Sequence, residues 1–171
     1  MKLIVCALAD AERLATRHRP AGVVSLLSPD QPAPRAPARS ARLILRCNDI
    51  VAPQEGLAAP DREMIARLLT FAEIFTSEAT LMLHCWMGIS RSPAAAFILA
   101  CARAPTSREA DIAERLRRAA PSATPNRLMV RLADEQLGRS GRMILAIDRI
   151  GRGREAATGA PFLFDTSEAQ T

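Results

Sequence analysis

His84-Cys85-Trp86-Met87-Gly88-Ile89-Ser90-Arg91-Ser92 follows directly on the apolar run Leu81-Met82-Leu83 and leads into Pro93-Ala94-Ala95-Ala96-Phe97-Ile98-Leu99. The first run has the length and bounds of a buried strand. The last places proline in a first turn ahead of good helix formers, so the whole reads as strand, loop, helix. In that loop one cysteine and one arginine bracket five residues. Held at the two ends of a tight turn, a thiol nucleophile and a planar cation can grip one phosphoryl group between them.

Working outward, residues 2–8 read as a first strand, residues 10–18 as a helix capped by Asp10, and residues 23–28 as a second strand. That alternation implies a parallel sheet. Four prolines between residues 29 and 40 mark an exposed connection, since proline donates no backbone hydrogen bond. Residues 41–47 form a further strand candidate that ends at Asn48-Asp49. Met64, Ile65, Leu68, Leu69, Ala72 and Phe75 recur at helical spacing within residues 61–76. The central strand spans residues 80–84, and the helix after the loop runs from Ser92 to about Cys101. Thr106 with Glu109 reads as a capping box for a helix reaching Ala119. Helical stretches follow at residues 125–137 and 142–150, separated by Gly138 and Gly141. The fold class expected is α/β: a single domain, residues 1–150, with a central, mostly parallel sheet flanked by helices. Residues 151–171, polar and Gly-rich apart from Phe162-Leu163-Phe164, are expected as a partly ordered C-terminal segment.

A chain of 171 residues is long enough for one compact domain with its own core. Aromatic residues make up only 4%, so aliphatic side chains and methionine must fill that core, and the single tryptophan is conspicuous for lying in the cysteine loop. The net charge of +5 suits an anionic partner, but the arginines are spread along the chain. Without a zinc finger, an RNP pair or a basic tail, nothing points to direct nucleic-acid contact. Cys6, Cys47, Cys85 and Cys101 form no CxxC pair, which suggests a reducing compartment and a cytoplasmic location. The apolar run near the amino terminus is interrupted at once by Asp10, Glu12 and Arg13, and no segment is long enough to cross a bilayer. The sequence carries no signature of oligomeric state.

The strand delivers Cys85 to the carboxyl edge of the sheet, where open α/β sheets bind ligands. Loop amides of residues 86–90 can turn inward as an anion nest, and the helix start adds unpaired donors and the positive end of its dipole. Gly88 permits the sharp turn. Cysteines near helix starts and cations have pKa values of roughly 3.5–7.5, so Cys85 is expected as a thiolate at neutral pH. Arg91 can offer two donors to phosphoryl oxygens. Ser92 is placed to donate a hydroxyl hydrogen bond to the sulfur. His84, on the opposite face of the strand from Cys85, is expected to organise the loop rather than act as a base.

His84-Cys85, five residues, Arg91 and Ser92 match the signature of the cysteine-dependent protein tyrosine phosphatase superfamily. Gly88-Ile89-Ser90-Arg91-Ser92-Pro93-Ala94 resembles its dual-specificity and small bacterial members. The resemblance covers the strand-loop-helix core and, by order of elements, residues 23–101. The mid-chain position of Cys85 fits the low-molecular-weight phosphatases less well, and His84, Arg91 and Ser92 together favour phosphate chemistry over the sulfur transfer of rhodaneses. The resemblance implies a general acid from a separate loop. Asp49 is the first candidate, with an ordinary turn residue as the alternative; Asp61 is the reserve, with a helix cap as its alternative.

Other residues keep two readings each. Trp86 either packs beneath the loop or lines the pocket mouth. Cys6, Cys47 and Cys101 are buried small hydrophobes or, for one of them, a resolving partner for oxidised Cys85. His18, Arg115, Arg117 and Arg118 read as helix surface. The function expected is a phosphomonoester hydrolase, most simply a protein tyrosine or dual-specificity phosphatase, working through a cysteinyl-phosphate. It calls for no metal or cofactor, because arginine and backbone donors already supply the electrostatic role of a metal. Its partner would be a phosphorylated protein or a small phosphomonoester such as a nucleotide, sugar phosphate or RNA terminus. In the family that the chain resembles, inositol-lipid phosphatases commonly carry basic residues inside the loop, whereas Trp86, Met87, Gly88, Ile89 and Ser90 are all uncharged, which argues against a highly phosphorylated lipid. The rival reading is a noncatalytic phosphate-recognition module that keeps the loop and lacks a competent acid.

Overall fold

Leu3 and Val5 enter one apolar cluster while Ile4 and Cys6 enter another, and the same split separates Leu81 and Leu83 from Met82. Such period-two alternation, apolar on both sides, is what a strand covered on both faces requires. The computed structural model describes residues 1–167. Five strands, β1 (Lys2–Ala7), β2 (Gly22–Leu27), β3 (Ala41–Arg46), β4 (Thr80–Cys85) and β5 (Phe162–Asp165), form one sheet in the order β3-β2-β4-β1-β5. The first four are mutually parallel, and β5 runs antiparallel to β1. Helix α1 (Leu8–His18) covers one face with Ala11, Leu14 and Ala15. The larger cluster on the other face takes in α2 (Arg62–Glu73), α3 (Arg91–Arg103), α4 (Glu109–Ala119), α5 (Arg127–Gln136) and α6 (Arg142–Ile150).

At the centre of that larger layer lies α3, buried from Arg91 to Cys101. Its alanines allow close approach of the surrounding helices, and Phe97, Ile98 and Leu99 are sealed from solvent. Each of those three contributes on the order of 1.5–3 kcal/mol relative to an exposed side chain. The helix that departs from the cysteine loop is therefore sealed in the core from its first residue to Cys101.

Several local expectations are corrected. Asp10 does not cap α1: the helix begins at Leu8 straight out of β1, with Ala7 at the cap position, and Asp10 sits in the first turn paired with Arg13. Thr106 does not stand at the cap position expected of it, because α4 starts at Glu109 behind Arg108. The Glu109 carboxylate instead turns inward, where Arg139 Nη1 lies 3.1 Å and Arg142 Nε 3.2 Å away. Arg117 is no idle surface residue either: its guanidinium donates to the carbonyls of Pro121, Ala123 and Gly151 and fastens the chain after α4 to the chain after α6. Arg115 lies over the Phe164 ring, 5.5 Å from its centroid.

The segment after residue 150 returns to the sheet. Phe162 and Phe164 are buried while Leu163 and Asp165 face out, and Thr166 N donates to Met1 O at 2.9 Å. The packed unit thus extends past residue 150, to an edge strand that shields β1. Residues 168–171 of the expected C-terminal segment lie outside the described residues. Among the described residues, no helix is long and apolar enough to cross a membrane, and no group of three or more His, Cys, Asp or Glu side chains is placed to hold a metal ion.

Candidate active site

Cys85 is the last residue of β4 and faces the α3 layer, so its sulfur meets the first turn of α3, where Ser92 Oγ lies 3.1 Å from Sγ. Between them the loop turns at Gly88 with φ +69°, a backbone state that glycine adopts without strain. A side chain there would also have no room, since a Cβ on Gly88 would sit 2.7 Å from Ala7 N.

Three separate segments tether the loop's carbonyls through four hydrogen bonds. Leu8 N donates to Trp86 O at 3.2 Å, Gly159 N to Met87 O at 2.8 Å, Thr124 N to Ile89 O at 2.8 Å and Asn126 N to Ser90 O at 3.3 Å. The amides from Trp86 to Ser92 donate to no acceptor among the described residues. With its carbonyls tethered and its amides unused, the loop has donors that an anion can engage, and the start of α3 adds its dipole. Gly159 packs so tightly that a Cβ on it would lie 2.6 Å from Gly88 O. The C-terminal chain thereby becomes part of the loop's scaffold.

Arg91 is 3% exposed. Its Nη1 donates to Cys47 O at 2.7 Å, and its Nε is a buried donor with no hydrogen-bond partner among the described residues. Asp49 Oδ2 lies 3.8 Å from that Nε. Asp49 Oδ1 accepts from Ser90 Oγ at 2.7 Å and from Asn126 Nδ2 at 2.8 Å, so the structure brings Asp49, the loop and Arg91 into one cluster. Asp61 is not part of it: as the N-cap of α2 its Oδ1 accepts from Met64 N at 2.7 Å. Trp86 is 54% exposed and Met87 borders on exposed, so neither packs beneath the loop. A groove of about 460 Å³ opens beside Asp49 and is bordered by Val51, Ser90, Pro125, Arg127 and Arg152. A second recess, of about 340 Å³ between Leu69, Phe75 and Leu99, lies away from the loop, and the Arg103 at its edge is spent on the carbonyls of Ala72 and Phe75.

Two site residues escaped the sequence reading. Ser25, on β2 opposite His84, shares a 2.7 Å hydrogen bond with His84 Nε2, and both are buried. Asn126 falls within the helical stretch expected from residue 125, whereas α5 starts at Arg127 with Asn126 at its N-cap, a position that an Asn ahead of a periodic run signals. Alternation puts His84 on the face opposite Cys85, which holds the strand end from behind. Burial, aided by the charge of Arg42, pushes the His84 pKa down to about 4 from an ordinary 6.5. Between those values the unfolded chain takes up a proton that the folded chain does not, so stability falls as pH drops from 6.5 to about 4. The loss expected from this one group approaches about 3 kcal/mol at the acid end. Denaturant titrations at pH 7 and pH 4.5 should show it in the wild type and show a smaller difference in His84→Gln.

The other thiols are silenced by burial, which pushes Cys6 up to about 12 and Cys47 to about 11 and raises Cys101 as well. Cys47 nevertheless lies against Arg91, whose charge partly offsets the effect of burial.

No family model matches the chain, and no curated protein matches it in sequence. Solved structures match its fold. The crystal structure of DUSP15 superposes with a TM-score of 0.60 at 18% identity, covering 91% of this chain and 94% of that one. The Yvh1 phosphatase domain from Chaetomium thermophilum gives 0.60 at 20% identity over 82% and 93% of the two chains. PTPMT1 in complex with PI(5)P gives 0.62 at 14% identity over 80% and 90%. The chain has the protein-tyrosine-phosphatase-like architecture, a single α/β domain around a mostly parallel sheet.

Proposed function

We propose that the protein is a cysteine-dependent phosphomonoester hydrolase. The observation that carries this reading is the loop itself: tethered carbonyls, unused amides, the Cys85 sulfur at its floor and the unpartnered Arg91 Nε at its rim. In the first step the Cys85 thiolate attacks phosphorus in line; the sulfur–phosphorus bond forms as the bond to the leaving oxygen breaks, and Asp49 gives that oxygen its proton. Arg91 and the amides of residues 86–92 hold the equatorial oxygens, where charge accumulates. In the second step water attacks the phosphocysteine, Asp49 takes the water's proton, and the Ser92 hydroxyl supports the departing sulfur.

A loop without charged side chains between Cys85 and Arg91, flanked by exposed Trp86 and Met87, favours a phosphate carried on an apolar or aromatic group, with phosphotyrosine as the first choice. PTPMT1, a fold neighbour, was crystallised with a phosphoinositide, so a lipid headgroup belongs among the substrates tested.

The test is a pH–rate profile with phenyl phosphate for the wild type, Asp49→Asn and Asp61→Asn, then a panel of phosphopeptides, nucleotides and phosphoinositides. Loss of a general acid lowers turnover by about 10²–10⁴-fold, the result expected for Asp49→Asn. Asp61→Asn should stay near the wild type, since asparagine caps a helix as well as aspartate does. A wild type that hydrolyses nothing yet binds phosphopeptides would overturn the enzyme reading in favour of a recognition module.

A further inference from the structure

We propose that Asn126 is the positioning residue of the general acid: with the Ser90 hydroxyl it occupies Asp49 Oδ1 and leaves Oδ2 as the oxygen that carries the proton. This rests on the phosphatase reading above and assigns a role to a residue that reading does not use.

The orientation of the Asn126 carboxamide is fixed by its neighbours. Its Oδ1 accepts from the backbone amide of Met129 at 3.0 Å, as the N-cap of α5, so the NH2 group must point the other way. Both hydrogens of that group find acceptors: Asp49 Oδ1 at 2.8 Å and Ile50 O at 3.2 Å. The Asn126 amide donates to Ser90 O as well. One side chain, 2% exposed, therefore joins the start of α5, the phosphate loop and the segment that bears Asp49. Because α5 packs against α3 in the main core, Asp49 is referenced to the same rigid body as Cys85 and Arg91, although its own segment has no regular structure.

The two carboxylate oxygens of Asp49 are thereby made unequal. Oδ1 already accepts two hydrogen bonds, from Ser90 Oγ and Asn126 Nδ2. A proton there would compete with both donors. Oδ2 makes neither contact and lies toward Arg91 Nε, on the side where the phosphoryl oxygens would sit. Protonated at Oδ2, Asp49 gives its proton to the leaving oxygen as the bond to phosphorus breaks, and the carboxylate formed is held at Oδ1 throughout.

Serine at position 126 separates the two jobs of the asparagine. Its hydroxyl still caps α5, whereas it is too short to reach both Met129 and Asp49. The experiment measures turnover of the wild type, Asp49→Asn and Asn126→Ser on aryl phosphates whose leaving groups run from p-nitrophenol to phenol, with thermal melts of each variant. An acid in place makes the rate insensitive to the leaving group; a misplaced one makes poor leaving groups slow. The result expected for Asn126→Ser is a melting point near the wild type and a loss in kcat/KM that grows along the leaving-group series, small with p-nitrophenyl phosphate and roughly 10²-fold with phenyl phosphate, the size of effect that a small misplacement of a reacting group produces. A steep dependence for Asp49→Asn with a flat one for Asn126→Ser overturns this inference and leaves the phosphatase reading intact. A flat dependence for Asp49→Asn removes Asp49 as the acid and the role of Asn126 with it, and a wild type without turnover overturns both readings.

Discussion

Cys85→Ser should abolish turnover while oxyanion binding survives. A serine hydroxyl in the same place is not ionised at neutral pH, and removing a catalytic nucleophile lowers turnover by about 10⁴-fold or more. Binding should persist because the anion's donors are the amides of residues 86–92 and the Arg91 guanidinium, none of which depends on the sulfur. Isothermal titration with inorganic phosphate, run beside the aryl phosphate assay, separates the two effects. Turnover by Cys85→Ser at the wild-type rate would remove the cysteinyl-phosphate from the account. Arg91→Ala is the complementary case: it deletes the rim of the anion site and the tether to Cys47 O, so binding and turnover should fall together.

The largest expected effect on stability is that of Gly88→Ala. Two penalties combine there. The backbone sits at φ +69°, where any L side chain costs on the order of 1–2 kcal/mol. The added methyl would meet backbone atoms of β1, 2.7 Å from Ala7 N and 2.9 Å from the carbonyl carbon of Cys6, and no rotamer change relieves that contact. Forcing an extra methyl into a packed interior costs about 1–3 kcal/mol more. The sum is a sizeable part of a typical domain's 5–15 kcal/mol, and a chain of this size should lose roughly 10 °C in melting temperature. Because the loop must shift to make room, phosphate affinity should fall as well. A melt and a phosphate titration within error of the wild type would show that the loop is not packed on β1 as described.

The strand-loop-helix unit was legible because its signals are local. An apolar run ending at His84-Cys85, a glycine where the turn needs one, and Pro93 in a first turn all lie within twenty residues of one another. Asp49 was singled out because the resemblance implies an acid from a separate loop and this residue lies just past a strand, and its carboxylate lies beside Arg91 and Ser90. Asp61 had the ordinary alternative of a helix cap, and that is the contact its side chain makes.

What escaped the sequence depends on contacts between distant segments. The tethers from Leu8, Thr124 and Gly159 are backbone hydrogen bonds, which leave no trace in residue type apart from the glycine. β5 was missed because only Phe162 and Phe164 alternate inward, too short a pattern to outweigh the polar, Gly-rich segment around them. Thr106 was expected at the cap of α4, but the helix starts at Glu109 and the Glu109 carboxylate pairs with Arg139 and Arg142, thirty and thirty-three positions along the chain, which no local pattern reveals. Asn126 carried a local signal as a helix cap, but its second partner, Asp49, became apparent only when α5 was placed beside the loop.

The claim on which the rest depends is that phosphorus passes through the Cys85 sulfur. Rapid mixing of the wild type with p-nitrophenyl phosphate, quenching in denaturant during turnover, and peptide mass spectrometry test it most directly. The account predicts a phosphoryl group on the peptide that contains Cys85 and none on that peptide from Cys85→Ser. Steady turnover with the phosphoryl group on a different residue, or the same labelled peptide from the serine variant, would contradict it.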